Sequence, residues 1–263
     1  MAESSRVRLT EKRRLAGGCR FNYLDGGAEN QKALPLVFLH GWGLAAYTFR
    51  DGLERVAAHR RVVAPDLPGF HRSLCSTAGW DYDDFAGALR ALAQALGLGR
   101  FHLAGHSTGG GIAAVLAANY PEAVASLSLI DSAGVPLGSA WAFVAGKLIE
   151  QPAQAWATRF APQHWPLLTA FVYNALFCTS GALRAARLPL RQDVRPHLAR
   201  VRAPCQVVWG EKDRAIPPAL GRALAAALPG ATFKILPGNY HEWSALRPEE
   251  FEEVIEAFVR RIG

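Results

Sequence analysis

Several features that mark other classes of protein are scarce in this 263-residue sequence. The four cysteines (Cys19, Cys75, Cys178 and Cys205) form no C-x-x-C pair, which argues against a zinc site and against a disulfide framework. No run approaches 18 consecutive apolar residues, so no membrane-spanning helix is expected. The segment 1–14 is polar and charged and has no apolar stretch of the signal-peptide kind. We therefore expect a cytoplasmic protein.

Signals for binding phosphate or nucleic acid are also missing. No Gly-Lys-Ser/Thr marks a P-loop, and no G-x-G-x-x-G precedes an acidic residue at the distance that dinucleotide binding requires. The net charge is +7, but the basic residues are scattered, with short runs only at 12–14 and 60–61. A solvated surface explains such scattered charge better than a nucleic-acid interface. We predict no nucleic-acid partner.

Short apolar runs alternate with helical segments along most of the chain. Strands are predicted at 19–25, 34–39, 62–65, 127–130, 204–209 and 232–236, with one more leading from Phe101 into Ser107. Helices are predicted near 48–59, between Asp81 and Gly97, between Ser107 and Pro121, near 218–228, and from Pro248 onward. Asp81 is the expected N-cap of the second helix, with Asp84 in its first turn. Nearly all-apolar strands indicate a mostly parallel sheet covered on both faces by helices, with ligands bound at the carboxyl ends of the strands. The predicted fold class is α/β.

The pattern changes between residues 135 and 199. Strand-like runs vanish, prolines divide the segment, and aromatic residues accumulate. We interpret residues 135–199 as a helical cap inserted into a core domain formed by residues 1–134 and 200–263. Because a small insertion has little core of its own, some rings are expected to face a cleft. The candidate substrate-binding residues are Gly41, Trp141, Trp165, Phe171 and Trp243. The arginines at 184, 187, 191 and 195 form either a basic rim or a solvated helix face.

The stretch around Ser107 carries the sharpest signal. Gly105-x-Ser107-x-Gly109 lies between an apolar strand and an Ala-rich helix, which is the pattern of a turn that exposes a serine hydroxyl above a sheet. The helix N-terminus places backbone N–H groups and a positive dipole end beside any anion formed there. By itself the motif also fits tight packing or a phosphate-binding turn.

Two later strands end in residues that complete a catalytic set. Asp213 follows one strand and His241 follows the last one, giving the chain order Ser, Asp, His. A serine hydroxyl needs a base to become a nucleophile, an imidazole has a suitable pKa, and a carboxylate fixes its tautomer. Asp131 also ends a strand and is an alternative acid.

The other histidines near the strand ends have separate expected roles. His106 flanks Ser107 but is expected to point away from it, and His40 is expected to brace the loop 40–43. His71 is the remaining histidine that could face the cleft.

At this point the sequence resembles the α/β-hydrolase superfamily along nearly its whole length. The resemblance rests on His40-Gly41-Trp42-Gly43, Asp66-Leu67-Pro68-Gly69, Gly105-His106-Ser107-Thr108-Gly109-Gly110, Gly210-Glu211-Lys212-Asp213 and His241. It implies Ser107 as nucleophile, His241 as base, Asp213 as acid, and the backbone N–H groups of Trp42 and Thr108 as an oxyanion hole. It implies no metal and no organic cofactor. The chain departs from the family pattern after Gly69, with Phe70 through Ser73, and at the bulky Gly238-Asn239-Tyr240 before His241.

A serine nucleophile excludes the family members that attack with an aspartate and leaves acyl transfer. Because the cap is aromatic, we expect a hydrolase acting on a small carboxylic ester with an apolar acyl or aryl group. Residues 40–44 and 66–70 also resemble carrier-protein methyl esterases of biotin synthesis, whose partner would be an acidic carrier protein. Hydrolases of carbon–carbon bonds and cofactor-free perhydrolases use the same triad. A small-ligand receptor with little turnover is the alternative from another class. The oligomeric state is not predicted.

Overall fold

The computed structural model describes residues 6–27, 33–159 and 161–262. Residues 1–5 of the polar N-terminal segment, and Phe160 of the aromatic-rich segment, lie outside the described residues. Eight strands form one sheet in the order β1-β2-β4-β3-β5-β6-β7-β8. The strands are β1 (Thr10–Ala16), β2 (Cys19–Gly26), β3 (Leu36–Leu39), β4 (Val62–Pro65), β5 (Phe101–His106), β6 (Val124–Ile130), β7 (Cys205–Gly210) and β8 (Thr232–Leu236).

Strands β3 to β8 are parallel to one another, whereas β2 is antiparallel to both β1 and β4. Strand β1 was not predicted, because six of its seven residues are exposed and its charged sequence has no apolar alternation. Its backbone pairs with β2 through a turn at Gly17 and Gly18, whose φ angles of 54° and 75° favour glycine. Tertiary pairing, not local hydrophobic pattern, makes this edge strand.

Helices cover both faces of the sheet. They are α1 (Arg50–Val56, preceded by a 3₁₀ turn at Ala46–Phe49), α2 (Tyr82–Ala95), α3 (Thr108–Asn119), α9 (Pro218–Ala227), α10 (Trp243–Leu246) and α11 (Pro248–Ile262). Apolar side chains of α2, α3 and α9 pack on one face, and those of α1 and α11 pack on the other. The predicted start of α2 is confirmed, since Asp81 and Asp84 exchange side-chain-to-backbone hydrogen bonds of 3.0 and 3.1 Å.

Five helices lie between β6 and β7, in the segment where the sequence predicts an insertion. They are α4 (Ala140–Ala157), α5 (His164–Phe177), α6 (Thr179–Ala185), α7 (Arg187–Arg191) and α8 (Arg195–Leu198). We call them the inserted helices. Within the described part of the chain, no single helix combines the length and apolarity needed to cross a membrane.

The sequence argued against a disulfide framework, and the described residues hold one disulfide. Cys19 and Cys75, separated by 56 positions, are joined, while Cys178 and Cys205 are free. Backbone hydrogen bonds of 2.9 and 3.0 Å between Arg20 and Leu74 hold the segment after β4 against β2 and bring the two sulfurs together.

Candidate active site

Ser107 occupies the strained turn between β5 and α3. Its φ and ψ angles are 55° and −124°, a backbone conformation that residues other than glycine rarely adopt. A Cβ at Gly105 would collide with the backbone of Gly109, and a Cβ at Gly109 would collide with the carbonyl oxygens of Leu39 and His40. The glycines of the motif therefore allow the tight approach that holds Ser107 at the carboxyl end of β5.

The loop after β3 packs directly on this turn. A Cβ at Gly41 would lie 3.0 Å from Ser107 Cβ and 2.9 Å from His106 Nδ1. The Trp42 indole donates to the Ala182 carbonyl oxygen on α6 (2.6 Å), so this loop also holds the inserted helices. Thr108 is the first residue of α3 and is buried. The backbone N–H groups predicted to bind an oxyanion therefore belong to two segments that meet at Ser107, and their role stays a prediction.

His40 braces the same loop, as the sequence suggested. The Leu67 backbone N–H donates to His40 Nε2 (2.8 Å), which leaves Nδ1 to donate to the Gly41 carbonyl oxygen (2.8 Å). Burial lowers the pKa of His40 to about 4, so the ring is neutral at physiological pH. The neutral imidazole links the ends of β3 and β4 beneath the predicted oxyanion loop.

Asp213 and His241 form a buried pair. His241 Nδ1 lies 2.7 Å from Asp213 Oδ2, and Asp213 Oδ1 accepts the Ile216 backbone N–H at 2.7 Å. Burial, together with the positive charge of Lys147, lowers the pKa of His241 to about 4. A neutral imidazole is the form that can accept a proton from a hydroxyl.

The loop of His241 reaches the turn that carries Ser107. His106, the residue before Ser107, donates from Nε2 to the His241 carbonyl oxygen at 2.9 Å. Its ring centroid lies 4.8 Å from that of His241. Burial lowers the pKa of His106 to about 3, so this ring is also neutral. His106 thus joins the two segments and, as predicted, is engaged away from the hydroxyl.

Asp131 lies beside this pair but has other partners. Its Oδ1 accepts the Gly210 backbone N–H at 2.7 Å, and its Oδ2 accepts the indole N–H of Trp243. Burial and the nearby Asp213 carboxylate raise the pKa of Asp131 well above its usual range. Ligand atoms of Asp131, Asp213 and His241 lie within 4.8 Å of one another, a spacing that a cation could bridge. The N–H donors already directed at these carboxylates fit a hydrogen-bonded support for His241 better.

Helix α4 contributes a buried carboxylate that the sequence analysis missed. Glu150 is fully buried, and its Oε2 accepts the backbone N–H groups of Arg214 (3.0 Å) and Ala215 (3.2 Å). Its Oε1 accepts the backbone N–H of His241. One side chain therefore ties together the loops that carry Asp213 and His241.

A second buried carboxylate, on the loop that carries His241, holds the same face of α4. Glu242 pairs with Lys147 and accepts the amide N–H groups of Gln151 (3.1 Å) and Gln154 (3.0 Å). Burial alone would raise the pKa of Glu242, but the Lys147 charge overrides it and lowers the pKa to about 2. The polar residues 147, 150, 151 and 154 recur at helical spacing in an otherwise apolar helix. This spacing is the sequence pattern from which a polar contact of α4 could have been predicted.

The structure distributes the predicted pocket residues unevenly. Phe171 lies 6.2 Å from Trp42 between ring centroids, and both line an apolar cavity of about 150 Å³ with Gly43 and Leu183. Trp141 and Trp165 are 81% and 68% exposed. Trp243 is 1% exposed and packs in the core below the strand ends. Its burial and its bond to Asp131 favour a supporting role over direct contact with a substrate.

His71 lines a different, more polar cavity. Its Nδ1 lies 2.8 Å from the buried Asp66, and its ring faces Tyr47 and Tyr173 at 5.1 and 4.7 Å between centroids. The cavity measures about 390 Å³ and is also lined by Arg50 and Arg72. Ser107, Asp213 and His241 are absent from the lining of this cavity and from that of the apolar cavity at Trp42.

Comparison with known proteins gives consistent matches. A family model described as the alpha/beta hydrolase family matches residues 36–254. The dihydrolipoyllysine-residue acetyltransferase component of the acetoin cleaving system of Pseudomonas putida is 33% identical, over 93% of this chain and 68% of that protein. The 2-hydroxy-6-oxononadienedioate/2-hydroxy-6-oxononatrienedioate hydrolase of Burkholderia vietnamiensis strain G4 is 28% identical, over 92% of this chain and 91% of that protein. The solved structure of a membrane phospholipase A, a bacterial virulence factor, has a TM-score of 0.81 at 27% identity, over 97% and 86%.

The family match begins at β3 and ends within α11, so it includes the Ser107 turn, both supporting loops and the inserted helices. The similar structure covers nearly the whole chain, and the predicted α/β-hydrolase fold is confirmed. The chain therefore belongs to the alpha/beta hydrolase family of enzymes.

Proposed function

We propose that this hydrolase cleaves carboxylic esters with an apolar acyl or aryl group, through Ser107, His241 and Asp213. The observation that supports the proposal is that three segments adjoin at the carboxyl ends of the strands. The Gly41 loop packs on the strained Ser107 turn, and His106, the residue before Ser107, contacts the loop that carries the buried His241–Asp213 pair of 2.7 Å. These groups supply a nucleophile, an oxyanion site and a base, which acyl transfer requires.

In the proposed reaction the Ser107 hydroxyl oxygen attacks the ester carbonyl carbon while His241 takes the hydroxyl proton. The backbone N–H groups of Trp42 and Thr108 bind the oxyanion that forms. His241 then gives the proton to the departing alkoxide, and the acyl group stays on Ser107. Water, deprotonated by His241, attacks the acyl carbonyl; the bond to Ser107 breaks, His241 returns the proton to the Ser107 oxygen, and the acid is released. Asp213 holds the imidazole in the tautomer that this sequence needs.

The preference for an apolar substrate rests on the cavity beside the Trp42–Gly43 loop. Its lining includes Phe171, Ala182 and Leu183 from the inserted helices, and its exposed lining is almost wholly apolar. We propose that residues 135–199 act as a cap that supplies this wall, with residues 1–134 and 200–263 as the core. An acyl chain or aryl ring entering there would lie next to the predicted oxyanion site.

Hydrolysis of a carbon–carbon bond is the second candidate. It is favoured by the 28% identity, over 92% of this chain, to a protein named as a hydrolase of 2-hydroxy-6-oxononadienedioate. Such a substrate carries two carboxylates, for which the apolar cavity at Trp42 offers no ion-pair partner in its lining. The ester reading therefore ranks first.

The test is hydrolysis of p-nitrophenyl esters from acetate to laurate by wild type and Ser107→Ala, beside a 2-hydroxy-6-oxo-dienoate. Intact mass after a fluorophosphonate probe reports the nucleophile directly. We expect turnover that peaks at one chain length, and a mass adduct on wild type only. Turnover of the dienoate alone would replace the ester proposal with carbon–carbon hydrolysis. One-to-one ligand binding without turnover or adduct would favour a receptor.

A further inference from the structure

Helix α5 is apolar on the side that faces solvent. Leu167, Ala170 and Asn174 point inward and are buried, as expected of a helix packed on a domain. The opposite side carries Trp165, Leu168, Val172 and Leu176, at spacings of three and four residues, and their exposed fractions run from 45% to 68%. A solvated helix face ordinarily carries polar residues, so this row lacks a partner.

The apolar row continues into α6, which packs on α5. Phe177 at the end of α5 is 72% exposed, and Leu183 on α6 is 65% exposed. We call these six residues (Trp165, Leu168, Val172, Leu176, Phe177 and Leu183) the α5–α6 face. Leu183 also lines the apolar cavity beside Trp42, so the face adjoins the proposed ester site.

The chain segment that carries the α5–α6 face has charge of one sign. Residues 151–192 contain no Asp or Glu, although the whole chain has 22. Arg184, Arg187 and Arg191 follow directly and are exposed. Among the described residues, no carboxylate forms an ion pair with any of these three arginines. A docking partner would therefore need to supply negative charge beside an apolar interior.

We propose that the α5–α6 face docks on a surface of anionic phospholipid. Aliphatic and Trp side chains enter the boundary between headgroups and acyl chains, while adjacent arginines contact the lipid phosphates. A second copy of this chain docked through the same face fits worse, because residues 151–192 of that copy would bring the same arginines and no carboxylate. Docking of this kind needs no catalysis. If the proposed function also holds, lipid-dissolved esters would be concentrated beside the cavity at Trp42.

Vesicle flotation with the full chain tests this proposal. We would compare vesicles of phosphatidylglycerol and phosphatidylcholine in equal parts with vesicles of phosphatidylcholine alone. Wild type and Ser107→Ala are expected to float equally with the anionic vesicles, and binding should weaken as salt is raised. Leu176→Ser/Phe177→Ser should weaken binding about tenfold or more, because two apolar side chains no longer enter the lipid. Arg184→Gln/Arg187→Gln should also weaken binding about tenfold or more, since a Lys or Arg near such a surface contributes about 1 kcal/mol.

Matched controls lie on the exposed strand β1. Leu15 is 73% exposed, so Leu15→Ser removes one exposed apolar side chain elsewhere, and Arg13→Gln/Arg14→Gln removes the same charge as the arginine variant. Neither control should change binding more than about twofold. Absence of flotation, equal binding to both vesicle types, or equal loss in the controls would overturn the proposal. Concentration-dependent dimers in light scattering that Leu176→Ser/Phe177→Ser abolishes, without vesicle binding, would assign the face to a second copy instead.

Because vesicle binding is measured in Ser107→Ala as well, it is independent of turnover. Binding without ester hydrolysis would support the docking surface and reject the proposed function. Ester hydrolysis without binding would do the opposite.

Discussion

At the scale of single residues, the site is defined by which buried carboxylate contacts His241. Asp213 lies 2.7 Å from its Nδ1, whereas the two oxygens of Asp131 accept N–H groups of Gly210 and Trp243. A carboxylate acts as the acid of a triad by fixing the imidazole tautomer, which needs direct contact. Asp131 instead supports the loop that carries Asp213.

Asparagine substitutions separate these two roles. Asp213→Asn should lower kcat by about 10⁴-fold, because the amide favours the wrong tautomer of His241. Asp131→Asn should lower kcat about tenfold or less, because asparagine has the same shape and Asp131 does not contact the imidazole nitrogen. Steady-state hydrolysis of the best p-nitrophenyl ester by both variants measures the difference. A larger loss in Asp131→Asn would reverse the assignment.

Glu150 acts on the site through the backbone, as a positioning residue. In the wild type the two carboxylate oxygens of Glu150 accept three backbone N–H groups. Glu150→Gln replaces one of these oxygens with an NH₂ group, which donates and cannot accept. We expect kcat to fall about tenfold or more with KM nearly unchanged, since the His241 and Asp213 loops lose their common acceptor. Glu253→Gln, an exposed change on α11, is the control and should leave both constants as in wild type. Unchanged kcat in a folded Glu150→Gln protein would reject this role.

At the scale of elements, polar contacts of α4 join the inserted helices to the loops that follow β7 and β8. Gly146 allows this approach, because a Cβ there would collide with the Arg214 carbonyl oxygen. Lys147 and Glu242 form the charged part of the contact, and their ion pair lowers the pKa of Glu242 from 4.5 to about 2. The attachment of α4 is therefore sensitive to acid.

The lowered pKa gives the sign of a pH dependence. A carboxyl group with a lower pKa in the folded state stabilises the fold above its unfolded pKa, and this stabilisation is lost as the pH falls through the folded value. The stability difference between wild type and Glu242→Gln should therefore be largest above about pH 5 and shrink towards pH 2. Urea unfolding at pH 6, 5, 4 and 3 measures it. A difference independent of pH would show that the ion pair contributes nothing. Glu253→Gln again serves as the exposed control.

At the scale of the whole molecule, the disulfide closes a long loop. Cys19 at the start of β2 is linked to Cys75, 56 positions later, so the closed loop includes β3, α1 and β4. A crosslink of this length stabilises a protein mainly by restricting the unfolded chain, by about 4 kcal/mol in the chain-entropy model. The edge formed by β1 and β2 is thereby tied to the segment that follows β4.

Reduction or Cys19→Ser/Cys75→Ser should lower Tm by roughly 10 °C, since 1 kcal/mol shifts a protein of this size by about 2–4 °C. Cys178→Ser removes a free, half-buried thiol and serves as the control, for which a much smaller change is expected. Thermal melts with and without reductant measure the effect. Identical melts of wild type with and without reductant would contradict a stabilising crosslink in the purified protein.

Local patterns predict much of this molecule. Seven of the eight strands, the capped start of α2 at Asp81 and the turn at Ser107 follow from apolar runs, side-chain caps and glycine spacing. The chain order of Ser107, Asp213 and His241 also gave the candidate site, because parallel strands bring their carboxyl ends to one edge. Each of these features depends on residues close together in the sequence or on a periodic rule.

Other features depend on contacts between distant segments, which no local pattern specifies. Strand β1 exists because its backbone pairs with β2, and the Cys19–Cys75 bond exists because Leu74 pairs with Arg20. The three N–H groups that surround Glu150 come from segments more than 60 positions away. A buried carboxylate is stable only where such donors converge, and their convergence is a property of the folded chain.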